Sequence, residues 1–146
     1  MKLLLIEDDK PKQNQILDLL SSEMLQIDHA ASINEAIRYL DDGVYDCILL
    51  DMSLPTFDAS VSGGRQQDLG GRQILTYMWE MEIPSRVMLV TQLRGFRNLN
   101  GDETSLAELD MQLRQEFPGL YAGYTHFHHS TGAWMTAITG FIKSND

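Results

Sequence analysis

Short apolar runs and segments of helical spacing alternate along the chain. Five runs have the composition of buried strands, at residues 3–6, 26–30, 46–50, 87–90 and 120–127. Between them, apolar residues return every three or four positions, which is typical of amphipathic helices. This alternation predicts βαβ units around a parallel sheet that is buried on both faces.

The predicted helices cover about 11–22, 33–43, 72–81 and 106–117, with a last helix whose apolar residues run to 142. Ser32 and Ser105 each precede a Glu by three residues, the spacing of a capping box. Ser130 or Thr131 is expected to cap the last helix. Two long loops remain, at about 56–71 and 92–104.

Composition narrows the classes of protein. With 146 residues, 43% of them hydrophobic, residues 1–146 are expected to form one domain. The formal net charge of -10 repels phosphate backbones and anionic lipids, so direct nucleic-acid or membrane binding is not expected. No apolar run reaches a membrane-spanning length. The lone Cys47 fits a reducing cytoplasm, the expected location.

Acidic residues follow two of the predicted strands. Glu7, Asp8 and Asp9 come after the first strand, and Asp51 directly follows the third. In a doubly wound sheet the ligand site lies beyond the carboxyl ends of the strands. Carboxylates collected there repel one another unless a hard divalent cation lies among them. The sequence therefore predicts an Mg²⁺ pocket, with Asp9 as a helix cap rather than a ligand.

Three segments resemble the receiver domain of two-component response regulators. They are Leu-Leu-Leu-Ile-Glu-Asp-Asp at 3–9, Cys-Ile-Leu-Leu-Asp-Met-Ser-Leu-Pro at 47–55, and Ile-Pro followed by Val-Met-Leu-Val-Thr at 83–91. The segment around Asp51 is the most specific of them. The resemblance implies an α/β, flavodoxin-like fold: a doubly wound five-stranded parallel sheet in a three-layer α/β/α arrangement.

The resemblance also implies roles for individual residues. Asp51 is the expected phosphoacceptor, and Glu7, Asp8, Asp51 and the backbone carbonyl of Ser53 are the expected Mg²⁺ ligands. Thr91 is the expected switch hydroxyl, which follows the phosphoryl group. Such a carboxylate attacks a phosphoryl group in line, and Mg²⁺ offsets the accumulated negative charge.

This sequence departs from the receiver pattern at one position. Receivers carry a Lys after the fifth strand, whereas residues 124–130 contain none. Counting back from the expected helix cap places Phe127 or His128 there, and His128 is the predicted replacement. Arg94 or Arg97, in the second long loop, is an alternative cation.

Two further interpretations concern the histidines and the long loops. His126 and His128 project from one face of a strand, as zinc ligands sometimes do, but no further ligand is fixed by spacing, and hydrogen-bonded histidines are the default. The loops at 56–71 and 92–104 are either mobile surface segments or a lid that binds a partner.

The sequence thus predicts a stand-alone receiver that is not an enzyme beyond its own Mg²⁺-dependent phosphorylation and dephosphorylation. The phosphodonor is expected to be a histidine kinase or a phosphotransfer protein, and the output altered binding to an unidentified protein target. Homodimerisation through the last helix is left open. The alternative is a phosphorylation-independent, receiver-like interaction module.

Overall fold

A five-stranded parallel sheet forms the centre of the protein in a computed structural model that describes residues 1–55, 66–67, 70–93, 95–97, 103–130 and 132–144. In chain order the elements are β1 (Lys2–Ile6), α1 (Lys10–Leu20), β2 (Gln26–Ala30), α2 (Ile33–Asp42), β3 (Cys47–Leu50), β4 (Leu54–Pro55), β5 (Gln66–Gln67), α3 (Gly70–Glu80), β6 (Arg86–Thr91), β7 (Gly95–Arg97), β8 (Glu103–Ser105), α4 (Leu106–Glu116), β9 (Tyr121–His126) and α5 (Ala133–Lys143).

The strand order in the main sheet is β2-β1-β3-β6-β9, and every pair is parallel. The chain moves outward from β1 to β2 and then returns to the other side of β1, so the order reverses between β1 and β3. Such a reversal opens a crevice at the carboxyl ends of the two strands, where ligands bind in open α/β sheets. The predicted flavodoxin-like fold is confirmed.

Helices cover both faces of the sheet. On one face α1 and α5 pack through residues such as Ile16 and Trp134, and on the other α2, α3 and α4 pack through residues such as Ile74. The central strands are buried on both sides, since all four residues of β3 are buried. This double burial explains why the strands are continuous apolar runs rather than alternating ones.

Helix caps follow the sequence prediction in three cases and depart from it in one. The side chains of Asp9, Ser32 and Ser105 each accept a hydrogen bond from a backbone N–H in the first turn of α1, α2 and α4. The last helix is different, because Gly132 stands at its N-cap without a side-chain hydrogen bond. The expected cap at Ser130 is therefore wrong, and Thr131, the other expected cap, lies outside the described residues.

The long loops contain structure that the apolar pattern did not predict. In the second loop and its last flanking residue, Ser105, β7 and β8 pair as a small antiparallel sheet, and β4 pairs with β5 across the first loop. Helix α3 begins at Gly70, inside the segment expected to be loop. Residues 56–65, 68–69 and 98–102 lie outside the described residues. No helix in the described ranges is long and apolar enough to cross a membrane.

Candidate functional site

Three carboxylates meet at the crevice between β1 and β3. Glu7 and Asp8 follow β1, Asp51 follows β3, and one oxygen from each lies within 4.8 Å of the others. The register explains the meeting, because Ile6 pairs with Leu50 and the next residue of each strand then lies at the same level. Glu7 and Asp51 are only 2% and 7% exposed. The sequence predicted this cluster.

A lysine that the sequence interpretation left without a role lies among these carboxylates. The Nζ atom of Lys12 is 2.5 Å from Oε2 of Glu7, 3.4 Å from Oδ1 of Asp51 and 2.6 Å from the carbonyl oxygen of Val90. The residue is 1% exposed. Lysine is almost never buried this fully unless it is paired, and Lys12 is paired with two carboxylates.

The start of α1 directs Lys12 into the crevice. The carboxylate of Asp9 caps the helix by accepting the Lys12 backbone N–H at 3.2 Å, so the lysine lies in the first turn, at the acidic edge of the sheet. Its ammonium is 5.7 Å from the centre of the buried Phe127 ring, just past β9. The sequence signal for this placement is a lysine four positions after Asp8, in the first turn of a helix that starts at the acidic edge.

Burial in the crevice raises the pKa of all three carboxyls. Burial, and after it the charge of Asp51, raises the pKa of Glu7 from 4.5 to about 8, against the opposing effect of Lys12. Burial also raises the pKa of Asp51, again against the pull of Lys12, and it raises the pKa of Asp8. One ammonium therefore does not offset the cost of holding three buried or half-buried carboxylates ionised.

We expect the unfolding temperature of the metal-free protein to fall as pH rises. A carboxyl whose folded pKa lies above its unfolded pKa stabilises the fold below the unfolded value, here 4.5, and this contribution is lost as pH rises through the folded value, about 8 for Glu7. Adding Mg²⁺ at the alkaline end is expected to restore most of the loss. Thermal unfolding followed by circular dichroism, with and without Mg²⁺, measures both effects.

The Glu7→Gln variant separates this effect from the general charge of the molecule. The variant keeps every other ionisable group, so its unfolding temperature is expected to depend less on pH than that of the unchanged protein. Equal pH dependence in the two proteins would show that Glu7 titrates normally.

The loop after β3 holds Asp51 in place. Its carboxylate accepts a hydrogen bond from the Ser53 backbone N–H, which opposes the rise of its pKa. Behind the loop, the Gly71 N–H donates to the Met52 carbonyl at 2.8 Å. A Cβ at Gly71 would lie 2.7 Å from the backbone oxygen of Asp51, so only glycine lets α3 approach this closely. Sequence reasoning assigned Gly71 to a loop and missed this contact.

Thr91 ends β6 beside the crevice. It lies two residues beyond the Leu50–Leu89 pair of the β3–β6 register, whereas Asp51 lies one residue beyond. Its side chain is fully buried, and its hydroxyl oxygen accepts the Leu93 N–H at 3.1 Å. The hydroxyl can still donate one hydrogen bond, which suits the switch role expected from the sequence.

His126 is the last residue of β9, and His128 follows it by two positions. The rings of His126 and His128 lie 4.8 Å apart, so they share a face as predicted. His126 binds the Gln92 carbonyl oxygen at 2.9 Å, and the His128 carbonyl accepts the Trp134 indole N–H. Within the described ranges, the group of three or more potential metal ligands is the carboxylate cluster, and it includes no histidine.

Arg94 and Arg97 were the other cations predicted to replace the missing lysine. Arg94 and the side chain of Arg97 lie outside the described residues. The role expected for His128 therefore stays a prediction, while the ammonium that the structure places beside Asp51 belongs to Lys12.

The crevice can accept a small anionic group together with a cation. Its volume is about 530 Å³, and it is lined by the three carboxylates, Lys12 and Ser53 among others. An all-oxygen donor set of carboxylates and a backbone carbonyl fits Mg²⁺, which prefers oxygen ligands and retains waters. A buried carboxylate beside a metal and an ammonium can act as a nucleophile toward phosphorus.

Two known proteins are similar to this chain over nearly the full length of both partners. No family model matches the chain. An uncharacterised protein, y4jR of Sinorhizobium fredii, is 26% identical over 151 residues, which span 100% of this chain and 99% of y4jR. The Detocs response regulatory protein DtcB of Enterobacter cloacae is 28% identical over 94% of this chain and 95% of its own length.

Solved structures share the fold across nearly the whole chain. The response regulator TrrA of Thermotoga maritima, in complex with Mg²⁺ and BeF, superposes with a TM-score of 0.65 at 14% identity, covering 99% of this chain and 98% of TrrA. A signal receiver domain from Pseudomonas fluorescens gives a TM-score of 0.67 at 15% identity, covering 99% and 95% of the two chains. The resemblance to receiver domains seen in the sequence is confirmed.

Proposed function

Because this chain has the fold of response regulator receiver domains, we propose that it accepts a phosphoryl group on Asp51 and signals by altered binding to another protein. One observation carries the proposal: Asp51 is buried at the point where the strand order reverses, within 4.8 Å of two further carboxylates. The name of the DtcB relatives, response regulatory proteins, supports the same class.

Glu7, Asp8, Asp51 and the backbone carbonyl of Ser53 are the proposed ligands of Mg²⁺. The donor set fits, since it consists of oxygen atoms and leaves room in the crevice for water and phosphoryl oxygens. When bound, Mg²⁺ supplies positive charge against the carboxylates and the incoming phosphoryl group. Both oxygens of Glu7 already accept hydrogen bonds, from Asp9 N–H and from Lys12, so Glu7 is proposed to bind the metal through a water molecule.

In the proposed transfer, a carboxylate oxygen of Asp51 forms a bond to phosphorus while the bond from phosphorus to the donor breaks. The donor leaves with the electron pair of that bond; an acetyl phosphate donor leaves as acetate. The product is an acyl phosphate on Asp51, which water later cleaves to carboxylate and inorganic phosphate. Thr91 is proposed to donate its hydroxyl hydrogen to the new phosphoryl oxygens, which would draw the residues after β6 toward the site.

A histidine kinase or a phosphotransfer protein is the proposed donor in the cell. The DtcB relatives match over 95% and 99% of their own lengths, which supports a stand-alone receiver that acts through a separate target protein. The cytoplasmic location expected from the sequence is part of the proposal. The competing function, a phosphorylation-independent binding module, predicts the same fold without phosphoryl transfer.

Incubation with acetyl phosphate tests the proposal. Intact-protein mass spectrometry is expected to show the gain of one phosphoryl group in the presence of Mg²⁺ and little or no gain when the metal is removed by a chelator. The dependence arises because three clustered carboxylates, when ionised, repel an anionic donor until a cation lies among them.

Two outcomes would contradict phosphoryl transfer in this form. A protein that gains no phosphoryl group at any Mg²⁺ concentration, from acetyl phosphate or from a panel of phosphorylated histidine kinases, supports the binding-module function. A gain that is equal with and without the metal would place the reaction away from the carboxylate cluster.

A further inference from the structure

The buried ammonium of Lys12 occupies a position from which it can reach a phosphoryl group on Asp51. Its contacts with Glu7, Asp51 and the Val90 carbonyl account for the three hydrogens of an ammonium group. The contact with Asp51 is the longest, at 3.4 Å, and it is made to the group that is proposed to react. A phosphoryl oxygen on that carboxylate would shorten the gap.

Two positions after β9, Phe127 and His128, are candidates for the place where a receiver carries its lysine, and neither is a lysine. Phe127, the first residue after β9, is 1% exposed, and its ring lies 4.7 Å from the Trp134 ring in the core. It gives no charge to the crevice. The ammonium of Lys12 lies over this ring, so the aromatic side chain fills volume beside the site while the charge arrives from α1.

The balance of charge favours an ammonium that stays in the site after phosphorylation. Three carboxylates face one lysine, and an acyl phosphate replaces the single charge of Asp51 with a phosphoryl dianion. The long flexible stem of lysine lets its ammonium shift toward the added charge while keeping the Val90 carbonyl as a partner. The remaining carboxylates, Glu7 and Asp8, repel that dianion when ionised, whereas Lys12 attracts it.

We propose that Lys12 is a catalytic residue that binds the phosphoryl oxygens during transfer to Asp51 and in the acyl phosphate, replacing the lysine missing after β9. This inference rests on the proposed phosphorylation of Asp51. It assigns to α1 the role that the sequence interpretation gave to His128.

Replacing Lys12 by Met tests the proposal, because Met keeps a flexible stem of similar volume and removes the charge. At saturating Mg²⁺ the rate of phosphoryl gain from acetyl phosphate is expected to fall about 100-fold, the scale seen when one charge-stabilising donor is removed. Lys143→Met is the matched control at an exposed lysine far along the chain, and its rate is expected to equal that of the unchanged protein. Circular dichroism and Mg²⁺ titration confirm that the variants fold and bind metal.

A double variant restores a positive charge to the site from the end of β9 instead of from α1. Combining Lys12→Met with Phe127→Lys places an ammonium after β9, and we expect part of the lost rate to return. A purely structural role for Lys12 predicts no such rescue. The His128→Gln variant is expected to retain most of the rate.

One measurement on the unchanged protein covers the case in which Lys12→Met does not fold. The chain has four lysines, so the side-chain nitrogen signals can be resolved by NMR after lysine-specific ¹⁵N labelling. Adding beryllofluoride with Mg²⁺, a phosphoryl analogue, is expected to shift the Lys12 signal more than the other three.

Several results separate this proposal from the proposed function. A folded, metal-binding Lys12→Met variant that is phosphorylated at the normal rate overturns the role of Lys12 alone, and so does a Lys12 signal unchanged by bound beryllofluoride. A 100-fold loss in His128→Gln instead would restore the sequence hypothesis. No phosphoryl gain in the unchanged protein overturns both proposals.

Discussion

Replacing Asp51 by Asn is expected to abolish phosphoryl gain from acetyl phosphate completely. The amide has nearly the same shape as the carboxylate, so the variant keeps the loop and the fold while losing the nucleophilic oxygen. It also removes one of two buried carboxylates from a cluster held by one ammonium. We therefore expect Asp51→Asn to unfold at a higher temperature than the unchanged protein in the absence of Mg²⁺, which shows that lost phosphorylation is not lost folding.

Asp18→Asn is the matched control for Asp51→Asn. Asp18 is an exposed carboxylate on α1, so the same chemical change there is expected to leave the phosphoryl gain unchanged. Mass spectrometry of the three proteins under one set of conditions makes the comparison. Continued gain of one phosphoryl group by Asp51→Asn would mean that another residue accepts it.

Replacing Gly71 by Ala is expected to lower the free energy of unfolding by about 3 kcal/mol, the upper part of the usual range for overpacking. The added Cβ would lie 2.7 Å from the Asp51 backbone oxygen and 2.9 Å from the Met52 Cα, and backbone atoms have little room to move. The displaced atoms belong to the phosphoacceptor loop, so slower phosphoryl gain is expected as well. Urea unfolding measures the first effect and mass spectrometry the second.

Gly140 offers the opposite case on another helix. It lies inside α5, and a Cβ there would meet nothing within 4 Å. Gly140→Ala is therefore expected to raise the free energy of unfolding by about 1 kcal/mol, the difference in helix propensity. If both alanine variants changed stability by the same amount, the close approach of α3 to the Asp51 loop would be wrong.

The sequence predicted the fold because the main-sheet strands and helices have strong, separate patterns. The central strands β1, β3 and β6 are nearly continuous apolar runs, and the caps at Ser32 and Ser105 mark helix starts through local chemistry. The strand pairs β4–β5 and β7–β8 were missed, since strands of two or three residues are too short to show a period. The start of α3 was missed because two glycines are poor helix formers and tertiary contact overrides that preference.

The site was predicted only where its residues follow strands. Glu7, Asp8 and Asp51 were found because strand ends of a parallel sheet meet at one edge. Lys12 was missed because its role depends on the direction of a helix side chain, and a lysine near a helix start is usually solvated. The missing lysine directed the search to residues just after β9, such as His128. The positive charge beside Asp51 belongs instead to Lys12, near the start of the chain.

Mapping the phosphoryl group within the chain tests the central claim most directly. After incubation with acetyl phosphate and Mg²⁺, borohydride reduces an aspartyl phosphate to homoserine, and peptide sequencing by mass spectrometry then identifies the altered position. We predict homoserine at residue 51 alone. Homoserine at another aspartate, or a phosphoryl group retained on His126, His128 or His129 with residue 51 unchanged, would contradict the assignment of Asp51 as the phosphoacceptor.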